Sequence, residues 1–505
     1  MATFYVSNFG CRATQSDGAA IERQLQERGL ERAQAPTEAG IVVLNTCTVT
    51  AAADQEARAA IRRFHRKNPQ AQIVVTGCYA QRAPEEVAAL PGVTKVVGNS
   101  HKHRLAEIAL PLPNVAASVP VRAIPGADRE GTTAFIPLST LTSIDQRPTA
   151  NDQRPVFVSD IFAHTELQAA PVFDAANERT RPNLKVQDGC NNRCSFCVIP
   201  YVRGHSRSLR LTEVIREVDA LVTAGYREVV ISGINLGRWG RDLPAWASIG
   251  TTEGAPLLGV GQRPTMNDQR LRYEQRPRFQ DLIHAILRET ALEKLRISSV
   301  EPMDWTDELI RLLATSPRIA KHAHVPMQSG SDAVLRRMHR KYRPWHYRQK
   351  IENIRAAMPT AAIGADVMVG FPGETEAEFE ETHRMVEDLP FTYLHVFTYS
   401  ARPGTPAASM GKQVPAAVAH ERNRILRDIA ARKKLAFMQT FVGRPVEAIT
   451  LNRSGRDPDG EYTEALTDNY LQLRLKGTLP SNRWIPAKVE KVLNGMLVGV
   501  ASLIT

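Results

Sequence analysis

The sequence predicts an α/β protein in three parts: an N-terminal parallel α/β domain, a partial (β/α)6 barrel and a small C-terminal antiparallel β-barrel. Three observations predict it. Short apolar runs alternate with helical segments over residues 1–110 and again from Asn183, the pattern of parallel strands joined by crossover helices. About six strand–helix units make up the second series, fewer than a closed eightfold barrel needs. Residues 439–505 instead alternate polar and apolar with turn residues between, which suits a small barrel of antiparallel hairpins. A chain of 505 residues is too long for one core, so several domains are expected.

The first series opens with TFYVSNFG as a buried strand, followed by a helix around Gly18–Arg28. GIVVLNTC is the second strand, with an Ala/Arg-rich helix over Ala51–Arg66. QIVVTGC is the third, with a helix near Pro84–Leu90, and VTKVVGN is the fourth. Over 111–182 the pattern fades into a linker or insertion containing QRPTANDQRP (Gln146–Pro155). A close copy, QRPTMNDQR (Gln262–Arg270), lies in a second insertion near 241–278. Neither copy has apolar periodicity, and two isolated copies cannot stack a core, so both read as surface segments. Within 183–438 the strands are NLKVQDGC, REVVISGIN, KLRISSVEP, AHVPMQSG, AAIGADVMVG and YLHVFTYS. Amphipathic helices such as Thr212–Ala224 and Glu374–Asp388 separate them. A basic helix, HERNRILRDIAARKKLAFMQTF, leads to PVEAITLN, EYTEALTDNYLQLRL and IPAKVEKVLNGMLVGVAS, the strands of the last barrel.

No stretch approaches the ~18 consecutive apolar residues of a membrane span, and no basic segment precedes an apolar run at the start. The expectation is a cytoplasmic protein with no membrane partner. Lys and Arg outnumber Asp and Glu by 64 to 53, a net charge of +11, which favours a polyanionic partner through counterion release.

The six cysteines fall into two triplets. A cytosolic chain with no stray cysteines uses them as metal ligands or in redox chemistry. Cys190, Cys194 and Cys197 form C-x3-C-x2-C directly after a predicted strand. Three thiolates this close can hold three corners of a cubane iron–sulfur cluster, leaving the fourth iron open to an external ligand. The amino and carboxylate groups of S-adenosylmethionine (SAM) can chelate such an iron, and an electron can then cleave the sulfonium. Structural zinc would want four closed ligands, for which His205 is the nearest addition. Cys11, Cys47 and Cys78 are far apart in sequence, yet each ends a predicted strand (NFGC, LNTC, VTGC), and strand ends of a parallel sheet share one edge. Gly10 and Gly77 beside them allow close backbone approach to a bulky cluster. An electron carrier would close each cluster with four cysteines; two triplets point to two clusters with two open irons. SGINLGRWG has G-x3-G-x2-G spacing and so fails the dinucleotide-binding pattern.

The C-x3-C-x2-C loop, with the aromatic Phe196 before its third cysteine, resembles the radical SAM superfamily. The whole chain apart from the insertions resembles a radical SAM methylthiotransferase, through NFGCRATQSD, VLNTCTVT, VTGCYAQR, QDGCNNRCSFCVIPYVRGHSRS and HVPMQSGSDAVLRRMHRKY. The resemblance implies two [4Fe-4S] clusters, held by Cys11, Cys47 and Cys78 and by Cys190, Cys194 and Cys197, the latter generating the radical. It implies SAM contacts at Gly233, Asn235, Glu301, Gln328, Ser329 and Asp366, and a C-terminal TRAM barrel that binds RNA. One SAM would yield the radical, another would methylate the sulfur, and the auxiliary cluster would carry that sulfur. Among the branches, GCRATQSD, RISSVEP and RMHRKY look most like the one acting on N6-threonylcarbamoyladenosine in tRNA, ahead of isopentenyladenosine or a ribosomal-protein aspartate. Ala13-Thr14 departs from that branch, which more often has a larger apolar residue and Asn there. The implied partners are tRNA, an electron donor such as flavodoxin or ferredoxin, and a sulfur source. The basic stretch Arg422–Lys434 and the last barrel read as a tRNA phosphate track.

Overall fold

The computed structural model describes residues 2–110, 155–164, 167, 180–245, 276–458 and 460–502. Both QRPT copies lie outside the described residues, apart from Pro155.

The N-terminal sheet has six parallel strands: β1 (Thr3–Asn8), β2 (Glu31–Arg32), β3 (Ile41–Thr46), β4 (Gln72–Gly77), β5 (Val93–Val97) and β6 (Val156–Phe157), in the order β2-β1-β3-β4-β5-β6. Residues of β3 and nearly all of β4 are buried, which is why they read as unbroken Val/Ile/Leu runs. Alternate side chains serve two cores: Val42, Leu44, Ile73 and Val75 meet Ile61 and Phe64, while Val43 and Val74 meet Phe4, Ile21 and Leu25. β6 pairs with β5 through Val96–Val156 and Val97–Phe157, inside the stretch read as linker. Two residues are too few to carry a period. The first helix runs Arg12–Glu27 rather than from Gly18, because its opening turn, RATQ, has no apolar stripe to announce it.

The barrel strands are β7 (Asn183–Asp188), β8 (Arg207–Ser208), β9 (Glu228–Gly233), β10 (Lys294–Ile297), β11 (His322–His324), β12 (Ala362–Val369) and β13 (Tyr393–Thr398). They form two sheets, β10-β9-β7-β8 and β11-β12-β13. Single bridges, Leu295–Ile319 and Ser299–His324, join β10 to the β11 edge. All pairings are parallel except β7–β8. Val186, Ile231, Leu295, Ile363 and Val367 point into a core shared with the outer helices. The helix Glu376–Asp388 opens on a reciprocal cap, in which Thr375 accepts from the Glu378 N–H at 3.3 Å and Glu378 accepts from the Thr375 N–H at 2.8 Å.

The last barrel, β14 (Pro445–Asp457), β15 (Gly460–Thr467), β16 (Gln472–Lys476), β17 (Trp484–Leu493) and β18 (Met496–Ala501), closes in the order β14-β15-β16-β18-β17. Four of its pairings are antiparallel, but β16–β18 is parallel. The expected small antiparallel barrel is present with one parallel seam, since an odd number of strands cannot alternate all the way around a ring. Among the described residues no helix is long and apolar enough to cross a membrane.

Candidate active site

Adjacent strands β1, β3 and β4 deliver the first triplet. Cys11 caps the N-terminus of Arg12–Glu27, Cys47 follows β3, and Cys78 follows β4 and opens the short helix Cys78–Arg82. Cys11 is exposed; Cys47 and Cys78 are buried. Two glycines set the approach. At Gly10 (φ +100°) a Cβ would sit 2.5 Å from the Cys47 Cβ and 2.9 Å from its sulfur. At Gly77 (φ +98°) it would sit 2.3 Å from the Thr46 carbonyl. No L side chain fits either place. Burial, and then the nearby Cys78 and Cys11, push the Cys47 thiol up to about 12, as expected of clustered sulfurs out of water. Asn99 Nδ2 donates toward the Cys78 sulfur at 3.6 Å.

The second triplet lies on the loop after β7. The Asn192 N–H donates to the Cys190 sulfur at 3.3 Å, Asn235 Nδ2 to the same sulfur at 3.5 Å, and Arg340 Nη1 to the Cys194 sulfur at 3.4 Å. The loop is pinned where Ser195 Oγ donates to the Arg337 carbonyl at 2.7 Å and the Ala407 N–H donates to the Ser195 carbonyl at 2.9 Å. Burial, then Cys194, push the Cys197 thiol up to about 12, and burial raises Cys190. The two triplets are neighbours: Cys78 packs against Val198 and Val202, just beyond Cys197.

The remaining expected residues divide. Gly233 ends β9 against Gln187. Asn235 is buried, takes the Gln187 Oε1 on its N–H at 2.6 Å, and keeps an unpartnered Oδ1. Glu301 pairs with Arg340 beside Cys194, at a small cavity shared with Asn192. Gln328 sits at φ +64° with a buried, unpartnered Oε1. The hydroxyl of Ser329 is occupied elsewhere, by Thr382 of an outer helix at 3.1 Å. Asp366 lies between His324 Nε2 and His395 Nδ1, each 3.3 Å from its Oδ1. Burial opposes its charge, but the two imidazoles hold the carboxyl well below the usual range. His205 is bonded to Asn191 at 3.1 Å.

Residues 3–98 match the model of "Uncharacterized protein family UPF0004", and residues 184–386 match the Radical SAM superfamily. Threonylcarbamoyladenosine tRNA methylthiotransferase MtaB of Bacillus subtilis is 35% identical over 95% of this chain and 91% of its own length. The namesake from Aquifex aeolicus is 31% identical over 93% and 95%. The chain belongs to the radical SAM tRNA methylthiotransferases. The tRNA-2-methylthio-N(6)-dimethylallyladenosine synthase of Novosphingobium aromaticivorans is 32% identical over 90% and 88%. The radical SAM methyltransferase TsrM of Kitasatospora setae shares the fold, with a TM-score of 0.51 at 14% identity over 81% of this chain and 74% of that one.

Radical SAM methylthiotransferases use SAM and two [4Fe-4S] clusters, and the thiols fit that demand better than they fit zinc. Bonds of ~2.3 Å to one tetrahedral zinc would bring sulfurs within about 3.8 Å of each other. Neither triplet closes that far: among the described residues the one three-ligand group within 4.8 Å is His324, Asp366 and His395. Spread sulfurs, glycine-lined approaches and N–H donors aimed at sulfur are what a cubane requires.

Sequence reasoning missed Arg340, Asn192 and Asn99, whose only signal was their place inside or near the quoted runs. In the basic helix the structure adds acidic partners that a count of cations does not show. Arg422 is buried and paired with Glu374 and Glu376, Arg424 is paired with Glu421 and Asp428, and Arg432 is paired with Glu387. A charge run counts cations but not the acids that neutralise them. Lys433 donates to the Glu387 and Leu389 carbonyls; Arg427 and Lys434 remain, and both line a cavity of about 730 Å³ between the two barrels.

Proposed function

We propose that the protein converts N6-threonylcarbamoyladenosine beside the tRNA anticodon to its 2-methylthio form, in the cytoplasm, with an external electron donor and sulfur source. The observation that carries this reading is the packing of Cys78 on Val198 and Val202. It sets the two triplets side by side, as a sulfur carrier and a radical source must be to act on one carbon. The relatives bearing the threonylcarbamoyladenosine name at 30–35% identity favour that base.

In this reading Cys190, Cys194 and Cys197 hold the radical-generating cluster, Cys11, Cys47 and Cys78 hold the auxiliary one, and residues 439–505 form a TRAM barrel that grips RNA. With SAM bound, the clusters supply the electron for sulfonium cleavage and the sulfur for transfer. The chain supplies everything else. In this reading Glu301, Asn235 and the backbone at Gly233 and Gln328 would contact SAM. The thiols that burial has raised must shed their protons on cluster assembly, which the amide and guanidinium donors to sulfur assist. The N-terminal domain packs on the flank of the partial barrel through Asp17 to Lys185 and Arg203 and through Asp54 to Arg402.

Nucleoside mass analysis of tRNA from cells lacking the gene tests the substrate. Loss of the 2-methylthio-threonylcarbamoyl nucleoside is expected; its persistence, or loss of the isopentenyl counterpart instead, would refute the reading. Cys194→Ala should abolish SAM cleavage, whereas Cys47→Ala should spare cleavage and stop sulfur insertion. Product formed at the normal rate by Cys47→Ala would contradict the division of labour.

A further inference from the structure

The 730 Å³ cavity lies below the cysteine loops, walled by Arg12, the starts of β7 and β12, Tyr393 and His395 of β13, the long helix Ala416–Gln439 and the last barrel. Its charge is one-sided. Arg12, Arg181, Arg427, Lys434 and Arg453 line it, against one carboxylate, Glu464. Arg181 lies 3.7 Å from Glu228. Arg427 and Arg453 are exposed at the rim. Arg12 and Lys434 are half-buried, and no carboxylate among the described residues pairs with either; Arg12 is also anchored, its Nη2 donating to the Tyr470 hydroxyl at 3.2 Å. Arg12 also follows Cys11 directly, so this wall of the cavity starts one residue from an auxiliary-cluster thiol.

We infer that Arg12 reads the carboxylate of the acyl-amino-acid arm on N6 of the target adenosine and so sets the enzyme's choice of base. This rests on the proposed function. C2, the modified atom, and C6, which carries the N6 arm, flank N1 on the pyrimidine ring, so their substituent directions diverge by about 120°. When C2 faces the cysteine triplets, the arm is directed away from them, into the cavity. There a half-buried guanidinium, held on one edge by Tyr470, keeps its other donors free for a carboxylate, the planar partner its fork fits. Tyr393 and His395 line the same cavity beside Arg12. An apolar isopentenyl arm would leave Arg12 partly desolvated with no acceptor, and unpaired polar groups of this kind reject a wrong substrate strongly. The rim cations Arg427 and Arg453, together with the half-buried Lys434, remain for backbone phosphates.

The test is a chemical double-mutant cycle on the cluster-loaded protein. Anticodon stem-loop RNA carrying the threonylcarbamoyl arm is supplied as the free acid or as its methyl ester, to wild type and to Arg12→Met. Esterification should cost wild type about tenfold to a hundredfold in kcat/KM, mainly through KM. Arg12→Met should lose a similar factor on the acid, and esterification should cost that variant nothing more. Arg12→Lys should keep part of the preference. Tyr470→Phe, which removes only the anchoring hydroxyl, should lose severalfold of it and decides the matter if Arg12→Met loads its auxiliary cluster poorly. Equal losses on acid and ester, or an ester penalty undiminished in the variants, overturn the inference. Binding of the free nucleoside acid and ester separates carboxylate from phosphate: coupling seen with RNA but absent with the nucleoside assigns Arg12 to the backbone and also overturns it. Wild type acting only on isopentenyladenosine would defeat the proposed function. Wild type using acid and ester equally would defeat this inference alone.

Discussion

Arg340 concentrates the electrostatics of the radical site in one buried side chain. Its guanidinium lies 4.9 Å over the Tyr342 ring, donates to the Cys194 sulfur and pairs with Glu301. Burial opposes its charge, but Tyr342, Glu301 and Cys194 outweigh that and raise its pKa further. It is therefore a fixed cation beside a cluster ligand, and a fixed cation favours the more negative, reduced cluster. Arg340→Met should move the midpoint of that cluster in the negative direction by on the order of tens of millivolts. An anaerobic redox titration followed by electron paramagnetic resonance checks this, and an unchanged or more positive midpoint would exclude the role. The thiols themselves were legible in the sequence because ligand spacing is written locally. Arg340 was not, because its partner lies 146 positions away and only the barrel brings the two together.

At the scale of elements, the helix Arg12–Glu27 shows what patterning reads and what it misses. Its apolar face, Ile21 and Leu25, was visible as a period, but its first half buries Asp17 instead. Asp17 pairs with Lys102 and Arg203, both at 2.9 Å, and with Lys185, while Asp188 shares Lys185 at 2.8 Å and Arg203 at 2.9 Å. Hydrophobic periodicity has no symbol for a buried ion network, so the helix start was placed too late. The same blindness hid β2 and β6, which are too short to alternate, whereas β3, β4 and β12 announced themselves through buried apolar runs. Burial opposes ionisation of Asp17, but Lys102, Lys185 and Arg203 overcome it and hold the carboxyl well below its ordinary range. A depressed native pKa gives stability that is complete above the unfolded value of about 3.9 and is lost as the pH falls below it toward the native value. Asp17→Asn would leave buried Lys102 with no carboxylate and Lys185 and Arg203 with Asp188 alone, at a cost of roughly 3–5 kcal/mol. Urea unfolding at pH 7 should show that loss, and the difference between variant and wild type should shrink at pH 3. Equal stability at pH 7 would mean the network is neutral.

The whole molecule is a partial barrel whose open flank is closed by another domain. On one side Asp17 holds Lys185 and Arg203, and Asn99 Nδ2 donates to the Val202 carbonyl at 2.7 Å. On the other, past β13, Arg402 pairs with Asp54 and donates to Thr48 Oγ1 at 2.9 Å, and the Ala51 N–H donates to Ser400 Oγ at 3.1 Å. Thr48 directly follows Cys47, so the second seam positions an auxiliary-cluster thiol against the barrel mouth. Arg82 also pairs with Asp54, at 3.0 Å, and removing Arg402 therefore does not strand a lone buried carboxylate. The expected loss is that of hydrogen bonds to a charged group, about 1.5–3 kcal/mol of docking, rather than the larger penalty of an unpaired ion. Arg402→Met should therefore leave the radical cluster and its SAM cleavage in place while letting the sulfur-carrying domain drift from the substrate. The measurable consequence is uncoupling: 5′-deoxyadenosine released per methylthiolated base should rise severalfold over wild type, with faster amide exchange over 48–54. A ratio unchanged from wild type would mean that the seam past β13 does not set the distance across which sulfur moves, and that Asp17 and its three cations hold the two domains in register without it.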